Sequence, residues 1–176
     1  MNILRSASLA VTVFLICACS TIQPPKNVVF HKSLPEQFEL HYLPSPLFGG
    51  GTELIFKDGY LVRHRYEGKW VRDTQENVLV KTEYFVPTEL QWRDFWKEME
   101  KLQVWSWKKR YDPSDIGAQV YDGGGWHLII SYQGKMIDTR GENAGPKPGS
   151  PKTTDIGSEW DKQIENAISI LTAKEG

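Results

Sequence analysis

The sequence predicts an α+β domain, in which an antiparallel sheet built from hairpins packs against two helices. Alternating apolar and polar residues flank an Asp-Gly pair at 58–59 and a Gln-Gly pair at 133–134, which is typical of β-hairpins. Apolar residues recur at steps of three or four after Thr88 and after Ser158, which predicts two amphipathic helices. Antiparallel hairpins with two interleaved helices favour the α+β class.

The strands are predicted from alternation that starts at Gln37. In the first hairpin the turn falls on the Asp-Gly pair, which accepts the backbone conformation of a tight two-residue turn. The second hairpin is rich in branched residues, which favour strands. In chain order the predicted strand segments are the hairpin 53–67, the pair 69–72 and 78–86, and the hairpin of 126–132 with 135–139.

The first helix is predicted over 88–102, because Thr88 and Gln91 have the spacing of a capping box. The second is predicted over 158–173 and closes the chain. Between the second hairpin and this helix, residues 141–157 hold three prolines and four glycines, which predicts a long irregular loop. The apolar stripes are Trp92, Phe95, Trp96, Met99 and Leu102 in the first helix, and Trp160, Ile164, Ala167, Ile168 and Leu171 in the second.

The first 18 residues have the anatomy of a signal peptide. Arg5 precedes an apolar stretch from Ala7 to Ala18, which is shorter than the roughly 20 residues that a membrane span needs. The following segment, 19–36, contains three prolines and little periodicity, and it is predicted to be a mobile tether with an entry strand into the domain. Residues 37–173 are then predicted to form one domain.

The residues around the end of this leader resemble the lipobox of bacterial lipoproteins. Ile16 is the branched residue three before Cys19, and Ala18 is the small residue directly before it. Cys17 departs from the family pattern, which more often has Ala, Ser or Thr there. The resemblance implies cleavage before Cys19, lipid on Cys19, and a membrane as the partner of that lipid. Ser20 implies the outer membrane of a Gram-negative cell, facing the periplasm. A cleaved and secreted protein without lipid is the alternative.

Composition excludes several classes of function. Both cysteines lie at 17 and 19, so the predicted domain has no disulfide, no thiol nucleophile and no thiolate zinc site. The net charge of −1 lacks the basic excess of nucleic-acid-binding proteins, and nucleic acid is not expected as a partner. All seven tryptophans follow the leader and are predicted to build the core.

No known catalytic, cofactor-binding or metal-binding motif stands out, and neither a cofactor nor a metal is predicted. The four histidines lack the spacing of a helical zinc site, and three of them fall in strand patterns, at His41, His64 and His127. The segment 112–117 loosely resembles a calcium loop, but a turn after Pro113 is the favoured interpretation. A pair of catalytic carboxylates need only meet in space, and sequence does not select one.

One stretch of about 40 residues is similar to a pattern found in a family of small bacterial proteins with no established activity. The pattern is Trp-x-Trp, Tyr, Asp-Gly, Trp-x-Leu-x-Ile, a glycine hairpin and Gly-x-Asn. Pairing in the second hairpin predicts that its polar and aromatic members gather at one end of the sheet. Alternatively, the tryptophans fill the core while Asp122 and Asn143 close turns. The candidate binding residues are Trp105, Trp107, Tyr111, Asp122, Trp126, Arg140 and Asn143.

These observations predict a non-enzymatic binding or accessory domain held at the cell envelope, with an envelope protein or glycan as its partner. Neutralisation of a toxin is a special case of this hypothesis. The alternative is a small envelope hydrolase whose site is assembled from dispersed acids or histidines. Two carboxylates, or a histidine and a carboxylate, that converge in a deep cleft with perturbed titration favour the hydrolase.

Overall fold

The structure is a computed structural model and describes residues 23–26, 28–43, 50–71, 74–120, 123–157 and 159–173. Two short 3-10 helices, Val104–Ser106 and Pro113–Ile116, lie on either side of a two-residue strand, Arg110–Tyr111. The longer elements are β1 (Gln37–Leu43), β2 (Gly51–Lys57), β3 (Tyr60–Val71), β4 (Thr74–Phe85), α1 (Glu89–Lys101), β5 (Arg110–Tyr111), β6 (Gly125–Tyr132), β7 (Lys135–Glu142), β8 (Gly145–Lys147), β9 (Ser150–Asp155) and α2 (Glu159–Thr172).

Seven of the strands form one sheet in the order β4-β3-β2-β1-β6-β7-β5. All neighbours are antiparallel except β5, which runs parallel to β7. Strands β8 and β9 form a separate two-stranded ribbon. With two helices packed against the sheet, the fold is α+β, and the predicted class is confirmed.

Both predicted hairpins are present. Asp58 and Gly59 join β2 to β3 with φ values of 50° and 86°, the two positive angles that a tight hairpin turn requires. The predicted separate strand at 69–72 is wrong, because β3 runs without a break from Tyr60 to Val71. Its partner β4 likewise starts at Thr74, before the predicted 78–86. Strands β2, β3 and β4 therefore form one continuous antiparallel unit.

The two helices begin and end close to their predicted positions. The backbone N–H of Gln91 donates to Thr88 Oγ1 at 3.2 Å, and the backbone N–H of Thr88 donates to Gln91 Oε1 at 2.8 Å, so the capping box is confirmed. Helix α2 buries the stripe that the sequence predicts. The two helices also contact each other on one face of the sheet.

The core lies between this face of the sheet and the two helices. Alternation in β1 and β6 directs Phe38, Leu128 and Ile130 inward, and none of the three is more than 1% exposed. Trp92 of α1 is fully buried, and its ring makes an edge contact with Phe38 at a centroid distance of 6.3 Å. The prediction that tryptophans build the core is therefore confirmed for Trp92.

The irregular loop predicted at 141–157 is wrong. The segment forms β8 and β9, with a turn at Pro148 and Gly149 between them. Proline is tolerated because a two-stranded ribbon has free edges, where a missing N–H breaks no ladder. Gly145 of this ribbon lies against Trp160, so close that a Cβ atom would be 2.3 Å from the indole ring. The ribbon therefore packs on α2.

The end of the predicted tether contacts the domain. Trp96 Nε1 donates to the carbonyl oxygen of Ser33 at 2.7 Å, and the backbone N–H of Glu36 donates to the carbonyl oxygen of Ser131 at 2.9 Å. Contacts with the domain begin still earlier, because Val28 packs on Gly59 in the turn between β2 and β3, nine residues before the predicted boundary at 37. The predicted signal peptide, residues 1–18, and the start of the predicted tether, including Cys19, lie outside the described residues.

Candidate functional site

Three aromatic residues of the predicted binding pattern pack inside the core. The ring centroids of Trp107 and Tyr111 each lie 6.0 Å from that of Trp126, and the three residues are 8%, 0% and 6% exposed in that order. Trp126 Nε1 donates to the carbonyl oxygen of Ala144 at 2.8 Å, and Trp107 Nε1 donates to that of Leu102 at 2.9 Å. This placement favours the alternative in which these rings fill the core.

The hydroxyl of Tyr111 links β5 to the β8–β9 ribbon. It donates to the carbonyl oxygen of Pro151 and accepts a hydrogen bond from the backbone N–H of Lys108 at 2.9 Å. Burial raises the pKa of Tyr111 to about 12, so the phenol keeps its proton at neutral pH. Its position and protonation are those of a structural residue.

Asn143 closes the turn after β7. Its φ of 53° lies in the left-handed region, which asparagine tolerates better than most residues, and its backbone N–H donates to Gly124 at 2.8 Å. The side-chain amide packs on Gly123, where a Cβ atom would lie 1.3 Å from Asn143 Oδ1. Asp122, the predicted neighbour of Asn143, lies outside the described residues.

The other two predicted residues lie away from the ring of Trp126. Arg140 is opposite His127 in the register of β6 and β7, so its exposed side chain lies on the face of the sheet without helices. Trp105 stacks beside Trp96 at a centroid distance of 6.4 Å, near the other end of β6. The described members of the pattern therefore do not form one surface, and a binding role for each stays a prediction.

Three histidines lie in one row across the face without helices. The strand registers place His64 opposite Glu53, Glu53 opposite His41, and His41 opposite His127. His41 Nδ1 lies 2.9 Å from Glu53 Oε1. Each is a strand-surface histidine, as the alternation predicts. Where the chain is described, no three metal-ligating side chains gather closely enough to hold an ion.

The segment 112–117 forms the turn that Pro113 predicts. Asp112 Oδ1 accepts the backbone N–H of Ser114 at 2.9 Å and so caps the short 3-10 helix. Asp115 Oδ2 lies 2.6 Å from Lys108 Nζ. One acid therefore caps the turn and the other pairs with a lysine, which agrees with the interpretation of this segment as a turn.

A cleft that the sequence did not predict lies between α2 and the part of the sheet formed by β1, β2 and β3. Its volume is about 300 Å³, at the lower end of the range for small-molecule sites. We call it the α2 cleft. Its floor is apolar, whereas its rim is polar and charged. The floor consists of Leu40, Leu54, Trp126, Trp160, Ile164 and Ile168, and the rim of Tyr42, Thr52, Arg63, Asp161, Glu165, Ser169 and Thr172.

One wall of the α2 cleft is anionic. Asp161 and Glu165 are one helical turn apart on α2, and neither makes an ion pair with a described residue. The hydroxyl of Tyr42 donates to Asp161 Oδ2 at 3.4 Å. Burial and the negative charge of Glu165 raise the pKa of Asp161. Burial and the charge of Asp161 likewise raise the pKa of Tyr42.

On the opposite side of the cleft, Arg63 belongs to a cluster of charged residues. On β3 and β4, Arg63, Arg65 and Lys81 surround Glu83 at nitrogen–oxygen distances of 2.9, 3.5 and 2.8 Å. The hydrogen bond from Lys81, together with the charge of Arg63, lowers the pKa of Glu83, so this carboxylate is ionised at neutral pH. Three cations share one anion, so the cluster carries an excess of two positive charges, and of its members Arg63 lines the α2 cleft while Arg65 lines a neighbouring cavity.

Tyr42 lies where the α2 cleft opens into two neighbouring cavities. One, of about 160 Å³, extends toward Asn143, and the other, of about 390 Å³, extends past Arg65 to Val80. Tyr42 lines all three and is 39% exposed. A ligand larger than the α2 cleft therefore has room to continue in either direction.

Another cavity, of about 400 Å³, lies between the helices and the β8–β9 ribbon. Its wall includes Glu98 and Lys101, which pair with each other at 2.6 Å. Their charges are thus compensated within the protein. We favour the α2 cleft as the functional site because two neighbouring carboxylates on its rim, Asp161 and Glu165, make no ion pair with a described residue, whereas the unpaired charge on the wall of the other cavity is a single lysine, Lys147.

Two sequence signals pointed toward the cleft without being sufficient to find it. Arg63 and Arg65 follow Leu61 on the same face of β3, so the apolar alternation changes to a charged one within one strand. Asp161 and Glu165 border the apolar stripe of α2 at a spacing of one turn. Only the packing of α2 against the sheet brings the two signals together.

The fold and the cleft together define an α+β domain with a charged, apolar-floored groove between a helix and a sheet. Comparison of the chain with models of protein families and with curated proteins finds no match. Among the described residues, no helix has the length and apolarity required to cross a membrane.

Proposed function

We propose that the chain is a non-enzymatic binding or accessory domain, held at the cell envelope through lipid on Cys19, with the α2 cleft as its ligand site. The observation that carries the proposal is an apolar floor bordered by the carboxylates of Asp161 and Glu165 on one side and by Arg63 on the other. Sites for small ligands are mostly apolar and hold a few polar groups that fix orientation. The α2 cleft has this composition.

The direction of β1 supports a site that faces away from the tether. The strand starts at Gln37, where the chain enters the sheet, and Tyr42 lies five residues further along it. At about 3.3 Å per residue the two are about 16 Å apart. A lipid at Cys19 would therefore hold the domain by the opposite end and leave the cleft open to an envelope protein or glycan.

The test compares the full chain with two tryptophan variants of exposed α2 residues. Ser169 borders the cleft and Lys162 does not, so Ser169→Trp fills the cleft while Lys162→Trp is the matched control. Each chain is expressed in a Gram-negative host, its mass is measured to confirm the lipid, and detergent-solubilised partners are captured and quantified. We expect Ser169→Trp to lose at least about 90% of a specific partner, and Lys162→Trp to retain it. Equal capture by both variants, with circular dichroism unchanged, would contradict the proposal.

A second candidate, an envelope hydrolase, is favoured by one observation. Asp161 has a raised pKa and shares the cleft with a second carboxylate, Glu165, as acid–base chemistry often requires. The variant Asp161→Asn distinguishes the two functions. A binding domain releases its captured ligand chemically unchanged from both chains, whereas a hydrolase releases cleaved ligand from the parent chain and intact ligand from the variant. Mass spectrometry of the released ligand provides the measurement.

A further inference from the structure

One end of the sheet is the place where the chain enters the domain. Gln37, the first residue of β1, pairs with Ser131 beside the turn that joins β6 to β7, and the register of β1 with β2 puts Gln37 beside the turn at 58–59 as well. The start of β1 and these two turns therefore share one end of the sheet. We call it the tether end, because the predicted tether leads from it to Cys19.

The most exposed large apolar side chains of the described residues all lie near the tether end. They are Val29, Phe30, Met136 and Leu90, with exposed fractions of 77%, 73%, 67% and 62%. The next in order, Leu79, is 49% exposed. Single apolar residues on a surface are ordinary, but their collection at one end of a domain is typical of a contact with a protein or a membrane.

The fold fixes the positions of these side chains. Phe30 lies beside the turn at 58–59, because a Cβ atom on Gly59 would be 3.6 Å from its Cε1 atom. Leu90 is in the first turn of α1, which follows β4, and the last residue of β4, Phe85, pairs with Leu61 beside the same turn. On the far side of the tether end, Met136 pairs with Ser131.

The spread of these side chains fits an extended, flat partner. Met136 is on β7, three strands from β2 in the sheet, which is about 14 Å at the usual strand spacing. None of the four side chains lines a cavity described above. Small ligands bind in concave sites, so this surface does not suit one.

The length of the tether identifies the flat surface within reach. Val29 is ten residues beyond Cys19, so even a fully extended chain between them spans at most about 33 to 36 Å. A bilayer that holds lipid on Cys19 is therefore always close to the tether end. Tethering of this kind gives a weak contact a high effective concentration.

Charge neither attracts nor repels a bilayer strongly here. The exposed ionisable side chains of the tether end that make no ion pair with a described residue are Lys32, Lys57 and Arg93, against Glu36, Asp58 and Glu89. Because the two signs balance, burial of apolar side chains is the force that remains for a contact at this surface.

We propose that the tether end is a membrane-contact surface, in which Val29 and Phe30 enter the bilayer interface and Leu90 and Met136 lie against it. This inference rests on the proposed function, since the lipid on Cys19 brings the surface to the membrane. It goes beyond anchoring, because a domain seated in this way has a fixed orientation. The α2 cleft, which opens near the other end of β1, then faces away from the bilayer.

The experiment places a nitroxide spin label on the full lipidated chain in vesicles of phosphatidylethanolamine and phosphatidylglycerol. The label is attached to Val29→Cys or, as the control, to Ile156→Cys, an apolar residue that is 48% exposed and lines a cavity with Tyr42 near the other end of β1. Cleavage removes Cys17 and lipid occupies Cys19, so the new thiol is the only free one. Oxygen concentrates in lipid and a nickel chelate stays in water. We expect the ratio of oxygen to nickel collision rates to be at least about fivefold higher at 29 than at 156.

A charged substitution tests the role of Phe30. Phe30→Glu in the Val29→Cys chain adds a charge that the bilayer excludes, so the collision ratio should fall to within about twofold of that for Ile156→Cys. Ile156→Glu in the Val29→Cys chain is the matched control and should leave the ratio unchanged. Both substituted residues are exposed, and circular dichroism confirms folding.

Three results would overturn the inference. With lipid on Cys19 confirmed by intact mass, equal ratios at 29 and 156, or a high ratio that persists in Phe30→Glu, would do so and leave the proposed function standing. Spin–spin broadening that disappears on dilution with unlabelled chain would assign the tether end to a second copy of this chain instead of a bilayer. An intact mass without lipid would overturn both this inference and the anchor, whereas capture by Ser169→Trp still tests the cleft.

Discussion

Two regions of one sheet face differ in what covers them. Over β1 and β6, the helices cover Phe38 and Leu128, which are 0% and 1% exposed. Further along the same face, past Leu61 on β3 and Phe85 on β4, the inward positions are Arg63, Lys81 and Glu83, whose side chains are 20%, 52% and 21% exposed. The inward-facing residues of the sheet thus change from apolar to charged at the edge of the region that the two helices cover. The α2 cleft forms at this boundary.

The two regions also differ in how they stabilise the fold. Large aromatic side chains each bury about 150 to 250 Å² and dominate the energetics of a core. Partly exposed ion pairs contribute only about 0.2 to 1 kcal/mol, because water and salt screen them. We therefore expect the free energy of unfolding to depend strongly on the covered region and weakly on the charged one.

The largest expected effect is that of Trp92→Ala in the covered region. The residue is fully buried and contacts Phe38, Phe56, Phe95 and Trp96, so its removal leaves a large cavity. The free energy of unfolding should fall by about 3 to 5 kcal/mol. Urea denaturation followed by circular dichroism measures it. Trp105→Ala, on a partly exposed tryptophan of the same helical region, is the control and should cost about 1 kcal/mol. Equal losses of unfolding free energy in Trp92→Ala and Trp105→Ala would contradict the expectation that the buried ring contributes more than the partly exposed one.

A smaller effect is expected where the covered region is packed most closely. A Cβ atom on Gly141 would lie 2.1 Å from the carbonyl oxygen of Ala144 and 2.4 Å from Trp126 Nε1. Gly141→Ala should therefore lower the free energy of unfolding by about 1 to 3 kcal/mol. Gly125→Ala is the matched control, because its Cβ atom would meet only Gly141 at 3.5 Å, an ordinary contact. A shift of the thermal midpoint by Gly125→Ala as large as that by Gly141→Ala would argue against tight packing there.

The features that the sequence predicts correctly are those that depend on neighbouring residues. The turn at Asp58 and Gly59 requires two residues that accept positive φ, and the helix start requires only Thr88 and Gln91 three positions apart. Each signal is complete within a few residues. Sequence reasoning therefore located the hairpins and both helices, although it missed that β3 continues past Glu67.

The features that the sequence does not predict depend on distant contacts. Arg63 and Asp161 line one cleft because α2 packs on the sheet, although almost a hundred residues separate them in the chain. Trp105 and Trp107 are near neighbours, yet the 3-10 helix between them directs one ring toward Trp96 and the other toward Trp126. A pattern of residue types carries no information on such a change of direction.

The smallest expected effect belongs to the charged region and depends on pH. Glu83→Gln removes the carboxylate that Arg63, Arg65 and Lys81 share, and the free energy of unfolding at neutral pH should fall by about 0.2 to 1 kcal/mol. The hydrogen bond from Lys81 and the charge of Arg63 lower the pKa of Glu83 in the folded state. A lowered pKa means that the stabilisation is present above the ordinary pKa of glutamate and is lost as the pH falls through the folded-state value.

The difference in unfolding free energy between the parent chain and Glu83→Gln should therefore shrink as the pH is lowered from 7 to about 3, in urea titrations at constant ionic strength. Glu76→Gln on the same strand is the control, because Glu76 is exposed and makes no ion pair within the described residues. Its effect should stay below about 0.5 kcal/mol at every pH. If Glu83→Gln costs as much as Gly141→Ala, or if its cost is independent of pH, then the charged region stabilises the fold as the core does. The contrast between the two regions of the sheet would then be one of residue type alone.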